Sequence, residues 1–310
     1  MKTLLKKLIQ FLIPLILIIF SGLFLPPTPR ASKSLLFANQ QKDSLLQNTL
    51  SPRMIFVGGS NLSFGLNSPL IKDSLIINPI NLGLHAQIGV KYMLENTLKY
   101  IKKGDMVVIS LEYSLFYKSY DYVSEELFRT VFDVNPKKAE LLSFKQLISM
   151  VGYLPKFSLT KFKPNEYFDY KESKIYSVKS FNKFGDVVGH LNLKNRKFNS
   201  TEINGVFNKN VIDKIKEFEL IAKKLGALVY ITFPAVDEVF FERSRSQIYR
   251  VEKELKENNF ILLGNTERYK MDSKLMFNTE YHLNKKGIEL RTFLFIEDFK
   301  NSQKLNFLSK

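Results

Sequence analysis

The chain has 310 residues, 45% of them apolar and 13% aromatic, enough to bury one large core and too apolar for disorder. It has no cysteine, which excludes disulfides, thiolate metal sites and a cysteine nucleophile. The formal charge of +16 first suggests nucleic acid, but the lysines are scattered, as in Lys194-Asn195-Arg196-Lys197-Phe198-Asn199, without an RNP-type motif, zinc knuckle or basic heptad array. No nucleic-acid partner is therefore expected, only a mild attraction to anionic surfaces such as phospholipid.

Lys2, Lys6 and Lys7 precede an apolar run from Leu8 to Leu25, which Pro26-Pro27 stops. About 18 mostly apolar residues is just enough to cross a bilayer and longer than a typical signal-peptide core. Residues 1–27 therefore read as an uncleaved signal anchor. Its basic end stays in the cytoplasm, so the bulk of the chain lies outside a bacterial cytoplasmic (inner) membrane crossed once. The alternative is a secreted chain whose signal is cleaved. Residues 28–50, rich in Pro, Ser, Asn and Gln, read as a tether, and 51–310 as one domain.

Within the domain, Met54-Ile55-Phe56-Val57 is a short buried strand, and Leu75 to Gly83 a second that ends in glycine. His85 to Lys103 has helical spacing, with Ile88, Tyr92, Leu94, Leu98 and Ile101 as its inner face. Met106 to Leu111 is apolar enough for a central parallel strand. Residues 114–205 break the rhythm and read as an insertion, a lid or substrate groove over the strand ends. Its aromatics either stack on sugar rings or fill a small core. Val211–Leu225, Ser244–Asn258 and Asn284–Lys300 are then predicted helices, and Ala227–Phe233 and Phe260–Leu263 strands. The alternation predicts an α/β fold: a doubly wound, flavodoxin-like, mostly parallel sheet whose ligand site lies at the carboxyl ends of its strands.

Two stretches carry chemistry. Gly58-Gly59-Ser60-Asn61-Leu62-Ser63-Phe64-Gly65, directly behind the first strand, presents a hydroxyl on a sharp turn beside the N–H groups of the next helix. Far downstream, Tyr281-His282-Leu283-Asn284 offers an imidazole, one of only three in the chain. Ser60 and His282 are the candidate nucleophile and general base; the plainer alternatives are a glycine-turn serine and a histidine that merely opens a helix. His85 reads as structural and His190 as a solvated loop residue. No metal or other cofactor is expected, since the chain lacks His-Glu-x-x-His and an Asp-rich calcium loop.

These residues, with Asn81-Leu82-Gly83-Leu84-His85, Lys103-Gly104-Asp105 leading to Leu111-Glu112-Tyr113, and Gly287 and Arg291-Thr292, resemble the SGNH (GDSL-like) hydrolase superfamily. More narrowly, the sequence resembles the membrane-anchored branch related to the D-alanine-transfer protein of teichoic acids and the alginate O-acetylation proteins. The resemblance covers roughly residues 54–113 and 227–295. It implies Ser60 as nucleophile, His282 as its base, and an oxyanion hole from the backbone N–H groups of Ser60 or Asn61 and of Gly83.

Two departures stand out. Asn278 occupies a place where related sequences tend to carry aspartate, with Glu280 or Asp272 as substitutes. Ser110-Leu111-Glu112-Tyr113 stands where the superfamily has its oxyanion asparagine, so Glu112 is expected as a buried partner, or to hold His85 or Tyr281. The resemblance implies a serine esterase or O-acyltransferase acting on an envelope glycopolymer, with a polytopic membrane acyltransferase as a possible partner. The competing expectation is a non-catalytic envelope-assembly or glycan-binding module of the same fold.

Overall fold

Apolar runs such as Met54–Val57, Met106–Ile109 and Leu228–Ile231 need cover on both faces, and with two shorter strands they pair here into one parallel sheet. A computed structural model describes residues 1–308, with side chains described through residue 304. The strands are β1 (Arg53–Gly58), β2 (Asn78–Asn81), β3 (Met106–Ser110), β4 (Leu228–Thr232) and β5 (Leu262–Leu263), in the order β2-β1-β3-β4-β5. Every neighbouring pair is parallel. Pro79 is tolerated because β2 is an edge strand.

Successive side chains point to opposite faces and so build two cores. Ile55, Val57, Val107, Ile109, Val229 and Ile231 face the larger one, under the helices Val90–Leu98 and Lys209–Lys224. Met54, Phe56, Val108 and Tyr230 face the smaller one, under Ser68–Leu75 and Lys285–Leu308. The chain is thus an α/β protein with a parallel five-stranded centre and one N-terminal apolar helix, Lys2–Ser21. That helix is long and apolar enough to span a membrane or to act as a signal sequence.

Three expectations change. The helix read over 85–103 shortens to Val90–Leu98, because Gly89 adopts φ +83° and the residues before it form a 3-10 turn, Ala86–Ile88. The stretch read as strand from Leu75 begins instead as the end of helix Ser68–Leu75, capped by the Asn67 side chain and ended at Ile76 in the left-handed region, φ 55°. The span read as a tether contains the helix Ala38–Asn48, whose Ala38 and Leu46 lie in the core.

At the amino ends of the strands, Arg53 is fully buried against Asp105, with its Nε 2.8 Å from Oδ1. The same guanidinium donates to the carbonyls of Leu46 and Tyr100. Removing one member of a buried pair leaves the other charge uncompensated, which costs about 3–5 kcal/mol. Arg53→Ala is therefore expected to lower the unfolding free energy by that amount in a chemical denaturation series. An unmoved midpoint would show that the pair contributes nothing.

Candidate functional site

β1 ends at Gly58, and one helical turn, Ser60–Ser63, begins two residues later, so Ser60 stands at the carboxyl end of an inner strand. A Cβ on Gly59 would lie 2.8 Å from both carboxyl oxygens of Glu112, so only glycine lets that side chain cross the turn. The β1–β3 register brings the two together. Gly58 pairs with Ser110, so Ser60 and Glu112, each two residues further on, leave the sheet side by side.

The Ser60 hydroxyl donates to Glu112 Oε1 at 3.1 Å, and the Asn61 N–H donates to the same oxygen at 3.0 Å. Glu112 is 3% exposed. Burial pushes its carboxyl up to about 7, and nearby Glu280 adds to the rise; the two hydrogen bonds and Lys118 oppose it. Glu112 therefore holds Ser60, and neither His85 nor Tyr281.

The imidazole rests on a bulged hairpin of β6 (Met276–Thr279) and β7 (His282–Leu283). Pairing of Thr279 with His282 sets Asn278 beside the ring, with Asn278 Oδ1 2.9 Å from Nδ1. A carbonyl oxygen only accepts, so Nδ1 carries the proton and Nε2 keeps the lone pair of a base. The Asn278 amide in turn donates to the Tyr176 hydroxyl at 2.6 Å. Phe64 stacks on the ring, centroids 4.0 Å apart and planes 8° from parallel. Burial pulls the imidazole down to about 3, and His190 and His85 push the same way, so His282 is neutral at pH 7.

The Ser60–Ser63 turn packs against β7, and the Leu283 N–H donates to the Phe64 carbonyl at 3.2 Å. The elements that carry residues 60 and 282 are therefore neighbours. Among the described residues, however, no hydrogen bond joins the two side chains; the Ser60 hydroxyl donates to Glu112 and His282 Nδ1 to Asn278. The direct serine–imidazole bond expected from the sequence is absent in this state, as the strand register offers the hydroxyl a carboxyl acceptor instead.

The remaining candidates separate. The Gly83 N–H donates to Asn81 Oδ1 at 2.9 Å, so both expected oxyanion donors, Asn61 and Gly83, are already engaged. The Asn61 amide ties back to Ser110, donating to its carbonyl at 3.1 Å. Glu280 accepts from Thr201 and Asp272 from the Lys274 N–H, and neither orients the imidazole. His85 caps its own turn, Nδ1 accepting from the Gln87 N–H at 3.2 Å.

His190 corrects another expectation: it is 1% exposed, its Nε2 lies 2.9 Å from the Leu283 carbonyl, and its ring sits between Phe64 and Phe277. Tyr176 and His190, both from the insertion, complete the imidazole's surroundings; no periodicity marks either in the sequence. Tyr176 also lines a cavity of about 370 Å³ together with Arg30, Lys33, Arg129 and Lys171. Among the described residues, no three His, Asp or Glu side chains gather as a metal-binding group.

No protein-family model matches the sequence, and no curated protein matches it either. Among solved structures, the protein YxiM of Bacillus subtilis aligns with 82% of this chain at 16% identity and a TM-score of 0.39. The chain spans 58% of that protein's length, and a likeness at this level carries no argument about function.

Proposed function

We propose that this chain is a membrane-anchored, extracytoplasmic serine esterase or O-acyltransferase of the SGNH type, acting on a cell-envelope polysaccharide or glycopolymer. One observation supports the reading. The turn that bears Ser60 packs against the short strand that bears His282, and Phe64 of that turn stacks on an imidazole whose tautomer Asn278 fixes.

In this mechanism Ser60 Oγ swings from Glu112 to His282, and Nε2 takes its proton as Oγ attacks the ester carbonyl. The tetrahedral oxyanion needs the Asn61 N–H, which the Glu112 carboxyl now occupies. Two negative charges cannot share that place, so the productive form has Glu112 protonated, its O–H turned donor toward the oxyanion. The imidazolium then returns its proton to the leaving alcohol, and the acyl-enzyme passes its acyl group to water or to a sugar hydroxyl. The insertion, which supplies Tyr176 and His190, serves as the substrate-side wall. A polytopic membrane acyltransferase is the natural acyl supplier for the transfer reaction.

A second reading is favoured by the same hydrogen bonds. With the Ser60 hydroxyl and the Asn61 and Gly83 N–H groups all satisfied internally, the site is also that of a non-catalytic glycan-binding or assembly module. Turnover of p-nitrophenyl acetate by the full chain in micelles separates the two. The esterase reading expects hydrolysis that falls by at least about 10³ in Ser60→Ala. Folded protein that turns nothing over, yet is retained on immobilised envelope polysaccharide, supports the module.

A further inference from the structure

The apolar helix Lys2–Ser21 does not run out into a loose tether. Gly22 is buried against Ser158 of the insertion helix Leu154–Lys161, and the Ser158 hydroxyl donates to the Ile19 carbonyl. The Lys161 ammonium donates to the carbonyls of Leu25 (3.1 Å) and Pro26 (3.0 Å) while pairing with Asp133 at 2.7 Å. Thr28 and Arg30 then bond Glu166 at 2.8 and 3.3 Å. The exit of the helix is thus clamped to the insertion by packing and by buried polar bonds. Whatever surface the insertion carries beside that clamp is held where the helix leaves the bilayer.

That surface inverts the usual burial pattern. Phe144, Ile148 and Val151, spaced i, i+4 and i+7, are 77%, 57% and 53% exposed, and Leu159 and Phe162, one turn apart, are 56% and 55% exposed. The same helices turn Gln146, Met150, Leu154 and Phe157 inward. Exposed Lys145, Lys156 and Lys163 lie along the same segment, Lys145 pairing with Asp121 and Lys156 with Glu125. Outward apolar residues on two successive helices, with lysines along the same segment, are the composition of a segment lying in a membrane interface.

We propose that the arm spanning residues 144–162 lies in the headgroup–acyl boundary of the same bilayer that the N-terminal helix enters. The chain is then held by one span and one monotopic face, which sets the Ser60 end of the sheet at a fixed height above the lipid. The inference rests on the anchor reading of the helix and is independent of catalysis.

The cysteine-free sequence makes the test clean. Single cysteines at Leu12, Ile148, Phe162 and Lys253 in the full chain carry an environment-sensitive fluorophore, in vesicles of phosphatidylcholine and phosphatidylglycerol. Quenching by spin-labelled lipid is compared with quenching by aqueous iodide, Lys253 serving as the aqueous reference on the helix Arg245–Glu257. The expected result is that the Ile148 and Phe162 probes are quenched at least about twofold by shallow-labelled lipid. Leu12 should respond to deep label and Lys253 only to iodide. Iodide quenching at both arm positions with lipid quenching at Leu12 overturns the proposal alone. Loss of lipid quenching at Leu12 overturns the anchor as well. Arm probes shielded from both quenchers mean that protein, not lipid, covers the face, and this too overturns the proposal.

Discussion

Under the proposed mechanism, replacing Asn278 by aspartate is expected to raise esterase turnover by about 10²-fold, short of the ~10⁴ lost when a triad aspartate becomes asparagine and the imidazole also takes the wrong tautomer. Asn278 already fixes the imidazole's tautomer at 2.9 Å, so geometry is not what the site lacks. What it lacks is charge. Burial holds His282 down at about 3, and its histidine neighbours add to the penalty, so accepting the serine proton creates an imidazolium with nothing to balance it. A carboxylate at the same position supplies the balance, accepts from the Tyr176 hydroxyl in place of the amide's donation, and raises the imidazole toward its ordinary range. The check is kcat against pH in both forms, with NMR titration of His282. An unchanged rate together with an unmoved titration would mean that position 278 does not govern the base.

Glu112→Gln is expected to alter the alkaline side of the pH profile. With its carboxyl pushed up to about 7, the parent loses the protonated form as pH rises through that value, and activity falls with it. Glutamine keeps a neutral donor at every pH, so the variant should hold its rate and exceed the parent on the order of 10²-fold near pH 9. Stability follows the same sign. A carboxyl raised on folding stabilises the native state fully below its unfolded value near 4.5, and that contribution is lost as pH climbs toward 7. The Tm of the variant should therefore gain on the parent across that window. If Glu112 were instead the base for Ser60, the variant would be inactive throughout.

Much of this site was legible from the sequence because its parts are local. A strand ending in Gly58-Gly59 announces a turn that bears Ser60, and residues 278 and 282 are close enough in sequence to face each other across one hairpin. What was not legible depends on pairing between distant segments. Glu112 reaches Ser60 only because β1 and β3 pair Gly58 with Ser110, a register that no motif encodes. The engagement of Gly83 follows from Asn81, itself held by a buried network in which its amide donates to Asp186 at 2.8 Å. The Lys42 ammonium, pulled down to about 7 by burial, binds the Asn81 and Gly185 carbonyls, each at 2.8 Å. Lys42 came from the supposed tether and Asp186 from the insertion, so neither was a candidate. The helix Ser68–Leu75 was hidden for a different reason: the β-branched pair Ile76-Ile77 at its end mimics a strand, while the cap at Asn67 decides the outcome.

Peptide mass mapping after reaction with a fluorophosphonate at pH 6 asks the decisive question of the full chain. Trypsin releases residues 54–72 as one peptide, which holds Ser60, Ser63 and Ser68 and separates them on fragmentation. The expected result is a single adduct on Ser60, abolished in Ser60→Ala and strongly reduced in His282→Ala. A folded chain that takes up no label, or takes it up at Ser63 or Ser68, would contradict the assignment of Ser60 as nucleophile.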